Sequence, residues 1–296
     1  MQAKLTITTH DGDPLEKLIG NTGIIGRGNV HVRVDGNPQV SRYHALLRCF
    51  NSCQYQVVDL GSRNGTYVSG NRVILPVKIS DEADIRLGGS GGVDIVFQQI
   101  WDSGSGGMTM DSGSLEEVTV MVCDIRGFGH LFKTIPESEL APAFGTWTRN
   151  AISIIQANGG VPDKFVRDAI VAYWMKPESG SATENALRTA TQLVNQARET
   201  EWPNGESANI TTVIHRGKVA LGMGPVIESE AAATGPTVNA ATNLEPIASK
   251  QPLPVVVTEP CFADLPEGYR AYFVSIGHGD TGGTSGSLEL FGADVQ

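Results

Sequence analysis

Asp163–Trp174 reads DKFVRDAIVAYW. Six of its last seven residues, Ala169 to Trp174, are apolar, and the run is rich in β-branched and aromatic side chains. A run this short and this continuous reads as a strand bound for a core. Lys164, Arg167 and Asp168 nevertheless crowd its start. The pattern predicts a hairpin turning at Val166–Arg167, with Lys164 on one strand and Asp168 opening the other. Three charges then stand at the mouth of a buried sheet.

Outward from this hairpin, VTVMVCDI (Val118–Ile125) predicts a second buried strand, and CDIRGFG (Cys123–Gly129) puts Asp124 at its end with a tight turn after it. If the two strands are sheet neighbours, Asp124 and Asp168 converge. Carboxylates that close repel unless cations lie between them, and Mg²⁺ held beside substrate phosphates is the usual resolution. The alternative, two unrelated surface acids, fits poorly with strands so apolar. Leu140, Phe144, Trp147, Ala151, Ile154 and Ile155 recur at helical spacing and predict an amphipathic helix ended by Asn158-Gly159-Gly160. Further helices over about 183–201 and 238–250 and a hairpin over 211–224 make residues 116–296 an α+β domain.

Residues 1–101 have another texture. KLTIT, HVRV, HALLRCF, YQVVDL, DIRL and VDIVF are short β-rich runs separated by Gly, Asn, Asp and Pro, which predicts an all-β sandwich. Between the halves, residues 102–115 (DSGSGGMTMDSGSL) are Gly/Ser-rich without periodicity and predict a flexible linker.

The formal charge of −10 argues against a general nucleic-acid binder, and an acidic surface is a soluble one. The opening MQAKLTITTHDG lacks the basic-then-apolar order of a signal peptide, and no 18-residue apolar run predicts a membrane span. Four cysteines (Cys49, Cys53, Cys123, Cys261) are too scattered for a disulfide framework or a zinc site; Cys49 and Cys53 could face each other near a hairpin or stay reduced and packed. The expected setting is cytoplasmic.

In the N-terminal half GRGN (Gly26–Asn29), SRYH (Ser41–His44) and GSRNGTYVSG (Gly61–Gly70) fall in loops. They set Arg27 and Arg42 beside hydroxyl and amide donors, a combination suited to a dianionic phosphate. Over residues 3–98 these motifs resemble the forkhead-associated (FHA) family, whose sandwich binds phosphothreonine peptides. The resemblance implies that Arg27, Ser41 and Arg42 hold the phosphate and Asn64 the peptide backbone, with His44 and Gly65 as framework. Arg63 replaces the family's Thr or small polar residue, adding a phosphate contact or narrowing the choice of peptide.

Over residues 116–296, CDIRGFG, GGVPDKFVRDAIVAYW, IHRGKVALGMG (Ile214–Gly224) and TGPTVNAATNLE (Thr234–Glu245) resemble the class III nucleotidyl cyclase catalytic domain. That resemblance implies a ferredoxin-like α+β fold dimerised head to tail. Asp124, Ile125 and Asp168 would hold two Mg²⁺ or Mn²⁺, and Arg126, Gly127 and Phe128 would line the triphosphate. Lys164 would read the purine and Asn239 would orient the ribose, both from the opposite protomer. The implied reaction converts ATP, or GTP, to the cyclic nucleotide and pyrophosphate.

Four positions depart from the family. Asn243 stands where it has the transition-state arginine, Ala232 where it has a second base-reading Asp or Thr, Gly129 for a Thr, and Arg167 for the glycine of the hairpin turn. The rival reading is therefore a degenerate domain that dimerises with itself or with another cyclase chain and serves as a nucleotide-binding or scaffold module. Thr109, in MTMD of the linker, is either an ordinary linker residue or a phosphorylation site for an FHA domain.

Overall fold

The computed structural model describes residues 2–9, 14–50, 54–100, 115–221, 233–282 and 286–295. Ala232, Thr109 and Cys53 lie outside them, as does nearly all of the expected linker. Two compact units account for the chain: residues 2–100 with 135–150, and residues 115–134 with 151–221 and 233–295.

The first unit is built from eleven strands: β1 (Gln2–Thr8), β2 (Leu15–Ile19), β3 (Thr22–Gly26), β4 (Val32–Arg33), β5 (Ala45–Phe50), β6 (Gln54–Asp59), β7 (Thr66–Val68), β8 (Asn71–Arg72), β9 (Val77–Ile79), β10 (Asp84–Leu87) and β11 (Val93–Ile100). They form two sheets, in the orders β2-β1-β11-β10-β7-β8 and β4-β3-β5-β6-β9. In β1 the alternation is complete: Ala3, Leu5 and Ile7 are buried while the residues between them are not. One face of β1 thus enters the core, as a two-sheet sandwich requires. Tyr55 and Phe97 meet there edge to face, their centroids 5.0 Å apart. Residues 135–150 belong to this unit, where Arg149 Nη1 donates to the Leu60 carbonyl at 2.7 Å.

The second unit carries β12 (Leu115–Ile125), α1 (Phe128–Thr134), the end of α2 (Glu137–Ala157), β13 (Val161–Val166), β14 (Ala169–Met175), α3 (Ala182–Glu199), β15 (Ile210–Leu221), β16 (Ala233–Thr234), α4 (Pro236–Ala248), β17 (Val255–Thr258), α5 (Glu259–Asp264), α6 (Glu267–Arg270), β18 (Val274–Asp280) and β19 (Ser287–Ala293). Its sheet runs β13-β14-β12-β15-β17-β19-β18, with β16 beside β15. The four strands β12 to β15 therefore lie in the order second-third-first-fourth with antiparallel neighbours, the split βαβ arrangement of a ferredoxin-like core. Six of the seven residues of β14 are buried, so this strand is covered on both faces.

Two sequence expectations shift. The hairpin over 211–224 is instead one strand, Ile210–Leu221, because β12 offers an eleven-residue partner along its length. The turn of the quoted stretch is Arg167–Asp168, since Val166 pairs with Ala169; Asp168 sits in the turn, not on the strand. Cys49, Cys123 and Cys261 are buried.

Candidate functional site

In the first unit, the loops after β3, β4 and β6 are stitched into one surface by the chain itself. The backbone N–H groups of Arg27 and Gly28 donate to the carbonyls of Ser41 (2.9 Å) and Arg42 (3.0 Å). A β-carbon at Gly26 would lie 2.2 Å from the Arg42 carbonyl oxygen, so only glycine allows this approach. The Ser41 N–H donates to His44 Nδ1 at 2.9 Å, which fixes the tautomer: Nε2 carries the proton and donates to the Gly65 carbonyl at 3.1 Å. Arg63 N–H donates to Ser41 Oγ (3.0 Å), and Asn64 Nδ2 to the Gln39 carbonyl (3.0 Å).

Beneath this surface lies Asp59, which the sequence reading overlooked. One carboxylate oxygen accepts from the N–H groups of Gly61 and Ser62 (both 2.9 Å); the other accepts from the hydroxyls of Ser62 and Thr66 (both 2.6 Å). Asp-x-x-Ser ahead of Asn-Gly was the available signal, because an Asp at such a spacing folds its own loop. Arg27, Arg42 and Arg63 are exposed and make no side-chain hydrogen bond or ion pair among the described residues. Three guanidinium groups and the Ser41 hydroxyl thus project from a rigid platform, a set of donors matched to a phosphoryl group.

In the second unit, β12 and β14 are hydrogen-bonded neighbours, with Cys123 opposite Ile170. The end of one and the turn before the other bring Asp124 and Asp168 together, close enough to hydrogen-bond. Burial first, then the charges of Asp168 and Glu245, push the Asp124 carboxyl up to about 8. Without a cation it therefore keeps its proton at neutral pH and donates it to Asp168, whose carboxyl burial also raises. Glu245 of α4 is a third acid in this field, which the sequence reading did not single out.

The remaining expected residues divide. Ile125 and Phe128 bury their side chains, leaving only their backbone to a ligand. Gly127 forms the turn into α1 with φ of +73°. The Arg126 guanidinium is committed to the framework: Nε donates to Thr211 Oγ1, Nη1 to the Gln251 carbonyl (2.7 Å) and Nη2 to the Leu253 carbonyl (3.1 Å). Its backbone N–H is also taken, by the Asn209 carbonyl. Arg126 is thus placed as a brace between β15 and the approach to β17.

Lys164 is not at the acid pair. It lies opposite Val171, beyond a bulge at Asp163, and its Nζ donates to the Ala233 carbonyl (2.9 Å) and pairs with Asp163 (3.4 Å). Buried Asp163 in turn accepts from the Ala233 N–H (3.0 Å). Asn239 and Asn243 stand one turn apart on α4, both exposed, and Asn243 Nδ2 donates to the Thr281 carbonyl (2.9 Å). Arg167 occupies its turn with φ of +59°, a left-handed conformation costing a non-glycine residue about 1–2 kcal/mol.

Two carboxylates and a backbone carbonyl at Ile125 are hard oxygen donors that suit Mg²⁺ or Mn²⁺, ions that complete their shells with water and substrate phosphates. Among the described residues no group of three or more His, Cys, Asp or Glu forms a closed metal cage. The donor set therefore fits an ion shared with a substrate.

The FHA domain model matches residues 23–88. An adenylate cyclase of Anabaena cylindrica is 23% identical over 265 residues, covering 88% of this chain and 49% of the relative, so the chain spans about half its length. A bacterial light-regulated adenylyl cyclase structure superposes with a TM-score of 0.50 at 21% identity, over 62% of this chain and 53% of the other. The catalytic core of a rhodopsin-guanylyl cyclase with converted specificity, solved with ATPαS, gives 0.51 at 19% identity over 61% and 97%. In fold, then, the chain joins an FHA domain to an α+β domain of the adenylyl and guanylyl cyclase catalytic type.

Proposed function

We propose that this chain is an FHA-linked nucleotidyl cyclase that converts ATP to cyclic AMP and pyrophosphate, working in the cytoplasm as a dimer with itself or with another cyclase chain. Residues 116–296 are the proposed catalytic module and residues 1–101 the proposed phosphothreonine reader. One observation carries the catalytic reading: Asp124 and Asp168 are brought together at one end of neighbouring strands, where the charge of Asp168 helps to hold the proton on Asp124.

Asp124, the Ile125 carbonyl and Asp168 would hold two Mg²⁺ or Mn²⁺, whose charge would acidify the ribose 3′-hydroxyl and offset that of the polyphosphate. The Gly127–Phe128 backbone is offered to the polyphosphate. Lys164, steadied by Asp163 and Ala233, is the proposed purine reader, and exposed Asn239 the proposed ribose contact. In the dimer these two would serve the partner's acid pair, consistent with Lys164 lying away from its own. Purified protein with Mn·ATP should release cyclic AMP and pyrophosphate, with a GTP arm to fix base choice, and Asp124→Ala should abolish both products. No cyclic product from either nucleotide with either metal rejects the enzyme reading.

One observation favours the rival, a nucleotide-binding scaffold. Asn243 spends its amide on Thr281 and supplies no positive charge. Loss of one such transition-state donor costs about 3–4 kcal/mol, a hundred- to thousandfold in rate, which lowers turnover without removing the contribution of the metals.

For the FHA unit we propose that Arg27, Ser41 and Arg42 take the phosphate, Asn64 the peptide backbone and Arg63 an added phosphate contact. Calorimetry with a phosphothreonine peptide library should find saturable binding that Arg27→Ala removes and that unphosphorylated peptides lack.

A further inference from the structure

The turn that carries Asp168 also carries Arg167, whose backbone sits at φ of +59°, where glycine alone is unstrained. An arginine held in that conformation is a cost the fold itself does not require, and strain of this kind collects where a side chain has a task. Arg167 is exposed and makes no hydrogen bond or ion pair among the described residues. The other two cations of this region are differently placed. Arg126 is spent on Thr211, Gln251 and Leu253, and Lys164 on Ala233 and Asp163. Against them stand three acids within Coulombic reach of one another: Asp124, Asp168 and Glu245. A polyphosphate approaching that field needs positive charge from the protein as well as from a metal. A guanidinium on a two-residue turn, with its forked donors, is built to supply it.

We infer that Arg167 is a polyphosphate-binding residue of this unit, its guanidinium meeting the anionic tail of a nucleoside triphosphate beside Asp168. The inference rests on the proposal that the unit binds such a nucleotide, and it adds a contact that the fold type does not supply.

The test uses the full chain and two variants. Arg167→Gly removes the guanidinium and relieves the turn, so it should melt at or above the wild-type temperature. Arg167→Lys keeps a charge and loses the fork. Calorimetry with Mn²⁺ and α,β-methylene-ATP, and separately with tripolyphosphate, should show Arg167→Gly weakened by about ten- to a hundredfold for both probes, with Arg167→Lys between. Adenosine affinity should not change. Equal affinity of wild type and Arg167→Gly for both probes overturns the inference, as does a wild type that binds neither. Turnover of Mn·ATP is scored separately. A chain that makes no cyclic AMP yet shows the Arg167-dependent affinity rejects the cyclase reading and keeps this one. A chain that turns over with Arg167→Gly unchanged in affinity does the reverse.

Discussion

Asn243 gives its amide to the Thr281 carbonyl, so the residue that departs most from the cyclase pattern has become a clip on the β18–β19 turn. Replacing it with arginine returns a cation to α4 and forfeits one hydrogen bond. Asn243→Arg should raise Mn·ATP turnover by about a hundredfold while lowering stability by roughly 1 kcal/mol, read from steady-state rates and urea melts. Arg126 makes the opposite case. Arg126→Ala strands three acceptors at once and should cost on the order of 2–4 kcal/mol in a chemical denaturation curve, whatever it does to activity. The sequence announced Asp124 and Asp168 because each borders an apolar run. It did not announce Asp163 or Glu245: the partner of Asp163 is Ala233, seventy positions on, and Glu245 acquires meaning only when α4 brings it into the field of the acid pair. Arg126 looked like a ligand for the same reason, since its three acceptors are equally remote in sequence.

Among elements, helix α2 ends as its Asn158-Gly159-Gly160 signature predicts. The Gly159 N–H donates to Gln156 and the Gly160 N–H to Ile155, the paired closure of a left-handed helix end. Gly160 has a second reason to be glycine: a β-carbon there would lie 2.5 Å from the Trp174 ring, fully buried in β14. Gly160→Ala should therefore cost about 1–3 kcal/mol by forced repacking, measurable as a lower denaturation midpoint. Strands β15 and β17 share a buried pair, His215 Nδ1 and Thr258 Oγ1, 2.9 Å apart. Burial lowers the His215 imidazole to about 4. Its folded-state value lies below its unfolded one, so the unfolded chain binds the extra proton first. Stability is full above about pH 6.5 and should drain by on the order of 3 kcal/mol as pH falls toward 4. His215→Phe should flatten that limb of a melting profile. Strand alternation and helix spacing made most of these elements legible. The 211–224 hairpin failed because periodicity cannot tell two short strands from one long strand paired along its length.

For the molecule as a whole, the two units present separate chemistries, an exposed set of guanidinium groups and a half-buried acid pair. Each can be removed alone. Millimolar Mn²⁺ should raise the melting temperature of the wild type through binding to the folded state, and Asp168→Asn should erase that shift. Arg27→Ala should leave the manganese shift intact while phosphothreonine peptide binding disappears. Both folds were legible because their motifs come in a fixed order along the chain; the boundary near residue 116 was drawn from composition, whereas residues 135–150 pack with the first unit.

The imidazole of His44 carries a consequence for acidic conditions. It is neutral because burial holds its proton affinity down, and its unprotonated nitrogen is already filled by the Ser41 N–H. Acidification would force a hydrogen onto that nitrogen, set it against the Ser41 N–H and loosen the SRYH loop, while Nε2–H keeps its bond to the Gly65 carbonyl. The proposed recognition of a phosphorylated peptide should then fade only in acid below the ordinary histidine range, read by calorimetry at stepped pH.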